Sequence, residues 1–504
     1  MRATSDNRDR RAPASKRTLA WCAILALPAL LAGCSDSSRQ DAESAPPTLT
    51  ILQTGRLRGN IYPSGVQRGT APLQYHPILA GYIKQTREEA EANGGEVILV
   101  DLGDSLTGSF GSYVTGSENV VRFFNGLDYD AIVLGNLDAD VDPAILEQLD
   151  VPAANPFVTT EGEPAAPFTK LRVAFTKAGL PVELIANFYG DGDPAEFPER
   201  FPVSFGGHQN VQPARDYKAL LGQAFIKPEG TFRLFSWMKF ESPKDAPAAY
   251  LANLRELGVD VVLAHRVYSS KQREVWSKED PYIAWSPPVA QNILRDNRGF
   301  VLSRLDLRRD PDGWKVLNHE LVPMVANLAE PDSTIEEVLA PLAPAINEAD
   351  EVVIELEQSL DRQAILERYM QALAQFPEVD AVLYSSESIR GEWSRGPLRT
   401  SRVFDSLPWS SKVVTIQMDR AQWDEVIDSQ AFATLTKPAI PEAGPIRIAT
   451  SEFFARILSK QVALNLETMT TLTPKAEFMV LNDHLKTTPA EASISEEGND
   501  GVGR

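Results

Sequence analysis

Cysteine is nearly absent from this chain: of 504 residues, only Cys22 and Cys34 carry thiols. Both fall within the first 34 positions, so the rest has neither a disulfide framework nor thiol chemistry and must draw its stability from packing. Histidine is almost as scarce. None of the five (His76, His208, His265, His319, His484) has an Asp three positions before it, so the Asp-x-x-His base that a serine-nucleophile esterase usually carries is missing. Positive charge is also short, with 49 Lys and Arg against 69 Asp and Glu, a net of −20. A surface that acidic repels phosphate backbones and argues against nucleic-acid polymers, but it leaves small anions open wherever a local basic pocket exists. Internal repeats are lacking.

What is present begins with a basic, then apolar, leader. Arg2, Arg8, Arg10, Arg11, Lys16 and Arg17 precede "LAWCAILALPALLAG", Leu19 to Gly33, a run too short and too basic on one flank for a membrane span, which reads as a secretory signal. Its end, "LAGC", resembles the lipobox of bacterial lipoproteins. That resemblance implies cleavage before Cys34 and lipidation of its thiol, hence an exported chain anchored to a membrane on its periplasmic or cell-surface face. The other reading is a plain signal peptide with a chance cysteine. Removing residues 1–33, with six basic and two acidic groups, takes the net charge from −20 to −24.

The remaining order of segments predicts a layered α/β protein. Residues 34–47 are a polar tether. From 48 to 327, β-like runs ("EVILVDL", "YDAIVLG", "GVDVVLAH") alternate with helical stretches such as "PILAGYIKQTREEAEAN", the βαβ rhythm of a first domain. "FVLSRLDLRRDPDGWKVLNHELVPM" adds a hairpin turning at Pro311-Asp312-Gly313. Residues 328–351 are acidic and suit a bridging helix or linker, 352–484 form a second, smaller α/β unit, and 485–504 are a tail too polar to bury anything.

Two motifs lie where α/β sheets keep their chemistry, just past strand ends. "TILQTGRLRGNIYP" places Arg56 and Arg58 there, and "VILVDLGDSLTGS" places Asp104 and Ser105. Ser105 as an esterase nucleophile lacks its histidine. Asp104 as a metal-bridging carboxylate is the other chemistry. The succession "LTILQTGRLRGNIYP", "VDLGDSLTGS", "NGLDYDAIVLGNLDAD", "VDVVLAHR", "FVLSRLDLRRD", and later "VDAVLYSSESIRGEWSRGPLRTSRVFDSLPWSSKVVTIQMDRAQWDEVID", resembles the 5′-nucleotidase family. That family joins a calcineurin-like metallophosphoesterase domain, a β-sandwich flanked by helices, to a 5′-nucleotidase C-terminal domain.

The resemblance implies a metal site, and the residues of this chain that match it are Asp104, Asn136 and His265. The family's first Asp and His fall on Arg56 and Arg58, the histidine of Gly-Asn-His falls on Leu137, and no Gly-His-x-His follows His265; "GGHQN", Gly206 to Asn210, comes too early and lacks the second His. Two divalent ions about 3.5–4 Å apart need carboxylates and neutral imidazoles, whereas a guanidinium supplies fixed charge and no lone pair. Such an arginine would pair with Asp104 or a bound anion, or else point to solvent from a drifted loop. In the second unit the resemblance assigns substrate binding to Arg390, Trp409 and Phe453: two aromatic planes and a cation that could hold a purine. Against this, Arg456-Ile457-Leu458 replaces the Gly-Gly-Asp that holds ribose, Arg390 suits a structural salt bridge equally well, and Trp409 suits simple core. The expectation is a pseudoenzyme without a cofactor that binds a small anion, a nucleotide or a protein partner. The alternative is a phosphohydrolase with a rearranged site for Mn, Zn or Mg, of 5′-nucleotidase or 2′,3′-cyclic phosphodiesterase type.

Overall fold

The computed structural model describes residues 48–66, 75–135, 138, 141–159, 170–187, 203–205, 209–213, 220–237, 248–265, 281–286, 301–385, 388–407, 411–428, 432–436, 440–441, 444–462 and 464–488. The leader, Cys34, the tether, Asn136, Leu137, Trp409 and the tail beyond 488 lie outside them, as do Gly206 to His208.

Four parallel strands, β1 (Thr48–Thr54), β2 (Glu96–Asp101), β3 (Ala131–Val133) and β4 (Ala153–Ala154), form the centre and one edge of a six-stranded sheet. The hairpin strands Val301–Asp310 and Gly313–Pro323 complete it, the first pairing antiparallel with β1. Facing it is a five-stranded sheet in the order Tyr282–Ser286, Val261–His265, Phe232–Trp237, Leu180–Ile185, Arg172–Lys177. Strand alternation sorts the apolar residues. Leu49, Ile51, Ile98 and Val100 point between the sheets and pack with Val182, Leu184, Leu234 and Leu263. Leu52, Val97 and Leu99 point outward and pack under two helices, α1 (Tyr75–Ala92) and α3 (Glu118–Gly126), through Leu79, Ile83, Phe123 and Phe124. Both faces of β1 and β2 are therefore covered, which is why their sequences read as nearly continuous apolar runs. A short helix, α2 (Phe110–Val114), stands between α1 and α3, started by a reciprocal capping box of Ser109 and Ser112.

The bridge is not one continuous helix. It is helical in three pieces, Ser333–Leu339, a 3₁₀ turn Ala340–Leu342 and Ala343–Ala349, because Pro341 and Pro344 withdraw two amide donors and force a new start. Beyond it, a second five-stranded sheet runs in the order Ala433–Thr436, Ala381–Tyr384, Ile446–Ser451, Lys412–Met418, Thr470–Ala476. The helix Glu477–Thr487 closes this part and continues three residues past His484, where the second unit was expected to end. Among the described residues no helix is long and apolar enough to cross a membrane.

Candidate functional site

The C-terminal ends of β1 and β2 lead into two loops zipped together by main-chain bonds: the amides of Arg56, Arg58 and Gly59 donate to the carbonyls of Gly103, Asp104 and Ser105 at 2.7, 3.2 and 2.8 Å. The alternating contacts demand unusual backbone. Arg56 (φ 54°), Arg58 (φ 48°) and Asp104 (φ 54°) are all left-handed, a conformation that costs a residue with a Cβ about 1–2 kcal/mol each and that clusters at functional sites. Gly103 is also left-handed, and a Cβ there would stand 2.5 Å from the Val133 carbonyl oxygen, so only glycine lets the loop pass β3 so closely.

This backbone turns three charged side chains inward. Arg56 is 4% exposed, and Arg58 and Asp104 are 8% exposed, so neither arginine points to solvent. The Arg56 Nε lies 3.7 Å from the Asp104 Oδ2, an ion pair too long for a hydrogen bond. Burial lowers the Arg56 pKa from its ordinary value against the opposing pull of Asp104. Its Nε and Nη1 have no hydrogen-bond partner among the described residues.

Under the loops lie two further acids that the sequence reading did not single out. Asp101 takes hydrogen bonds from the Thr54 hydroxyl (2.7 Å), the Gly103 amide (2.8 Å) and the Ser105 hydroxyl (3.0 Å). Burial still pushes it up to about 6. Asp138 accepts the amides of Asp104 (2.8 Å), Leu106 (2.8 Å) and Gly135 (2.7 Å), and burial, with the nearby Asp104 charge, pushes it up to about 8. Asp138 thus fixes the Asp104 loop to the end of β3. Ser105 is consumed structurally: its oxygen also accepts the Leu57 amide at 3.1 Å and it is 1% exposed. The one signal for Asp138 in the sequence was an Asp directly after the "GNL" segment; two of its three amide donors, Asp104 and Leu106, come from distant positions.

The described residues do not by themselves assemble a two-metal centre. Among the described residues, no group of three or more His, Cys, Asp or Glu is arranged to hold a metal ion, and one side chain that reaches Asp104 is a guanidinium, which can donate but not ligate. Asn136 and Leu137 lie outside the described residues, and His265 is described only as the backbone end of its strand, paired with Ser286.

In the second unit, Phe453 is half-buried, its ring edge-on to Phe454 at 5.4 Å. Arg390 is close enough to lower the Tyr384 pKa against a larger upward push from burial and Glu477. Trp409, the expected partner of Phe453, lies outside the described residues. The structure instead shows a buried carboxyl that the sequence reading missed: Glu477 is fully buried, and its Oε1 accepts the hydroxyls of Tyr369 (3.1 Å) and Tyr384 (2.9 Å).

Comparison with known proteins follows the same lines. No protein-family model matches the chain. A 5′-nucleotidase of Vibrio cholerae is 34% identical over 116 residues, 23% of this chain and 20% of that protein; the match therefore spans about a fifth of the relative's length. Among solved structures, the 5′-nucleotidase precursor of Thermus thermophilus superposes with a TM-score of 0.58 at 15% identity, over 87% of this chain and 96% of the other. The 5′-nucleotidase of Candida albicans superposes with a TM-score of 0.60 at 10% identity, over 88% and 100%. At such identities the likeness concerns the fold.

Proposed function

Because this chain belongs to the 5′-nucleotidase family by its fold and by partial sequence homology, we propose that it is a non-catalytic member, exported and lipid-anchored through Cys34, that binds a small anion at Arg56. One observation carries the reading. A buried guanidinium occupies the mouth of the first sheet beside Asp104, with two donors left without partners among the described residues and its charge retained despite burial. An oxyanion is the ligand class that satisfies such donors, and Arg58 adds a second buried cation nearby. Nucleotides are the anions to try first, since Arg390, Trp409 and Phe453 are the positions assigned to base binding by the family resemblance.

The test uses the full chain. Metal analysis should find no stoichiometric Mn, Zn or Mg, and phosphatase assays on nucleoside monophosphates, cyclic nucleotides and aryl phosphates should stay at background. Phosphate, sulfate or adenosine monophosphate should raise the melting temperature by mass action, and Arg56→Met should abolish that rise. About two equivalents of bound metal, or turnover lost in Asp104→Asn, would establish the hydrolase instead. Cys34→Ser should release the protein from the membrane fraction; unchanged partitioning removes the anchor.

A further inference from the structure

The second unit meets the loop-bearing end of the first through aromatic rings. Phe478 stacks edge-on against Tyr113 of α2 (5.1 Å, 87°) and against Phe404 (5.1 Å, 70°). Phe110 of α2 meets the same Phe404 at 5.9 Å, and the Tyr113 hydroxyl reaches the Met479 sulfur at 3.6 Å. Phe110 and Tyr62 of the first unit share one hydrophobic core with Phe404, Phe478 and Leu481. The joint therefore hangs on the first turn of the Glu477–Thr487 helix, and the residue that opens that turn is Glu477.

Glu477 is an unusual residue to find there. It has no exposed surface, it makes no ion pair among the described residues, and its Oε2 has no hydrogen-bond partner among them. The groups facing it come from every element packed around it and are neutral: Tyr369 from the Arg362–Ala374 helix, Tyr384 at the end of its strand, Ser451 at the start of the Glu452–Gln461 helix, and the main chain of Ser411. Of the nearby cations, Arg390 acts on Tyr384 and Arg368 on His484. The phenols share one carboxyl oxygen, and Ser451 and the Ser411 main chain add hydrogen bonds that favour the ionised form, but no cation among the described residues pairs with the carboxyl, and burying an unpaired charge is far costlier than burying a neutral acid.

We propose that Glu477 is a proton-operated latch: with its carboxyl neutral, the first turn of the Glu477–Thr487 helix stays seated and holds Phe478 against α2, and loss of that proton releases the turn. The same Ser109 that caps α2 also donates to the Gly59 carbonyl at 2.6 Å, so the latch is one short helix away from the Arg56 loop. Burial, opposed by the hydrogen bonds from Tyr384 and Tyr369, pushes the carboxyl from 4.5 up to about 7. The sign follows: the folded state holds this proton more tightly than the unfolded chain. Its stabilisation is therefore complete below the unfolded value and is lost as pH rises through the folded one. The joint should tighten in mild acid and loosen just above neutrality.

Hydrogen exchange on the full chain, corrected for intrinsic rates, reads the joint directly. Amides of α2 and of the first turn at Glu477 should lose protection several-fold between about pH 5.5 and about pH 8. In Glu477→Gln, which keeps an oxygen for the two phenols but cannot ionise, that loss should vanish while the titration of other buried acids remains. The same pH-dependent loss in wild type and Glu477→Gln overturns the latch. Tyr384→Phe provides an independent arm: removing a donor that favours the ionised carboxyl should move the exchange midpoint to higher pH, and an unmoved midpoint overturns the proposal even if Glu477→Gln does not fold.

Discussion

Two buried arginines in this protein live in opposite circumstances. Arg233, on the second sheet, has no exposed surface and spends its donors fully: Nε and Nη2 on Glu183 Oε2 at 2.9 and 2.6 Å, Nη1 on the carbonyls of Phe225 and Leu257, and Nη2 also on that of Ala224. Arg56, at the mouth of the first sheet, is buried almost as deeply, yet it faces its acid across 3.7 Å and leaves Nε and Nη1 without partners among the described residues. A guanidinium whose every donor is matched by the protein is a structural element. One that is desolvated without being satisfied costs stability as it stands, and it regains that cost only when something else supplies the acceptors.

The sharpest way to break this contrast is Arg233→Met. That substitution removes the Arg233 donors from three carbonyls and one of two cations from Glu183, which among the described residues would keep Arg172. Breaking a buried, hydrogen-bonded ion pair costs about 3–5 kcal/mol, so urea unfolding should show a loss of that size. A loss near zero would mean that saturated hydrogen bonding does not mark a structural arginine here, and Arg56 could not be set apart by its unmatched donors.

The contrast is sharpened by a smaller change at the floor of the Arg56 site. In Asp138→Asn the side-chain oxygen can still take the amides of Asp104 and Gly135, but the amide group would face the Leu106 N–H. One buried donor left without an acceptor costs about 1–3 kcal/mol. Chemical denaturation should fall in that range. A neutral result would mean that the Asp104 loop is positioned by its main-chain zipper alone.

These differences explain which features could be read from the chain. The strand and helix rhythm was legible because both faces of β1 and β2 are covered and their apolar runs stand out. The hairpin was legible from Pro311-Asp312-Gly313, and the structure pairs Asp310 with Gly313 across that turn. The break in the bridging helix was written in Pro341 and Pro344, whose missing amides should have divided it. The site was legible only in its substitutions. That Arg56 and Arg58 turn inward depends on left-handed backbone at non-glycine residues, which no residue type announces. Asp138 ties in the amides of Asp104 and Leu106, and Glu477 two phenols, all far away in sequence, and local pattern carries no trace of such partners.

The smallest expected effect is the most informative. Arg56→Met keeps the length and much of the apolar volume of the side chain while deleting its charge. Against the substitution stands the loss of attraction to Asp104, weakened by the 3.7 Å gap. For it stands relief from burying two donors that no described group accepts, each worth about 1–3 kcal/mol when left unmatched. Asp104 has other interactions of its own, so it is not stranded by the change. The opposing terms are similar in size, and the unfolding free energy should move by less than about 1 kcal/mol in either direction, well short of the 3–5 kcal/mol expected where a buried pair is tightly made. The same variant should lose the rise in melting temperature that phosphate or sulfate gives the wild type. Loss of anion response with stability intact separates a guanidinium kept for a ligand from one kept for the fold; a large loss of stability, matching Arg233→Met, would place Arg56 with the structural arginines and leave the anion without its binding group.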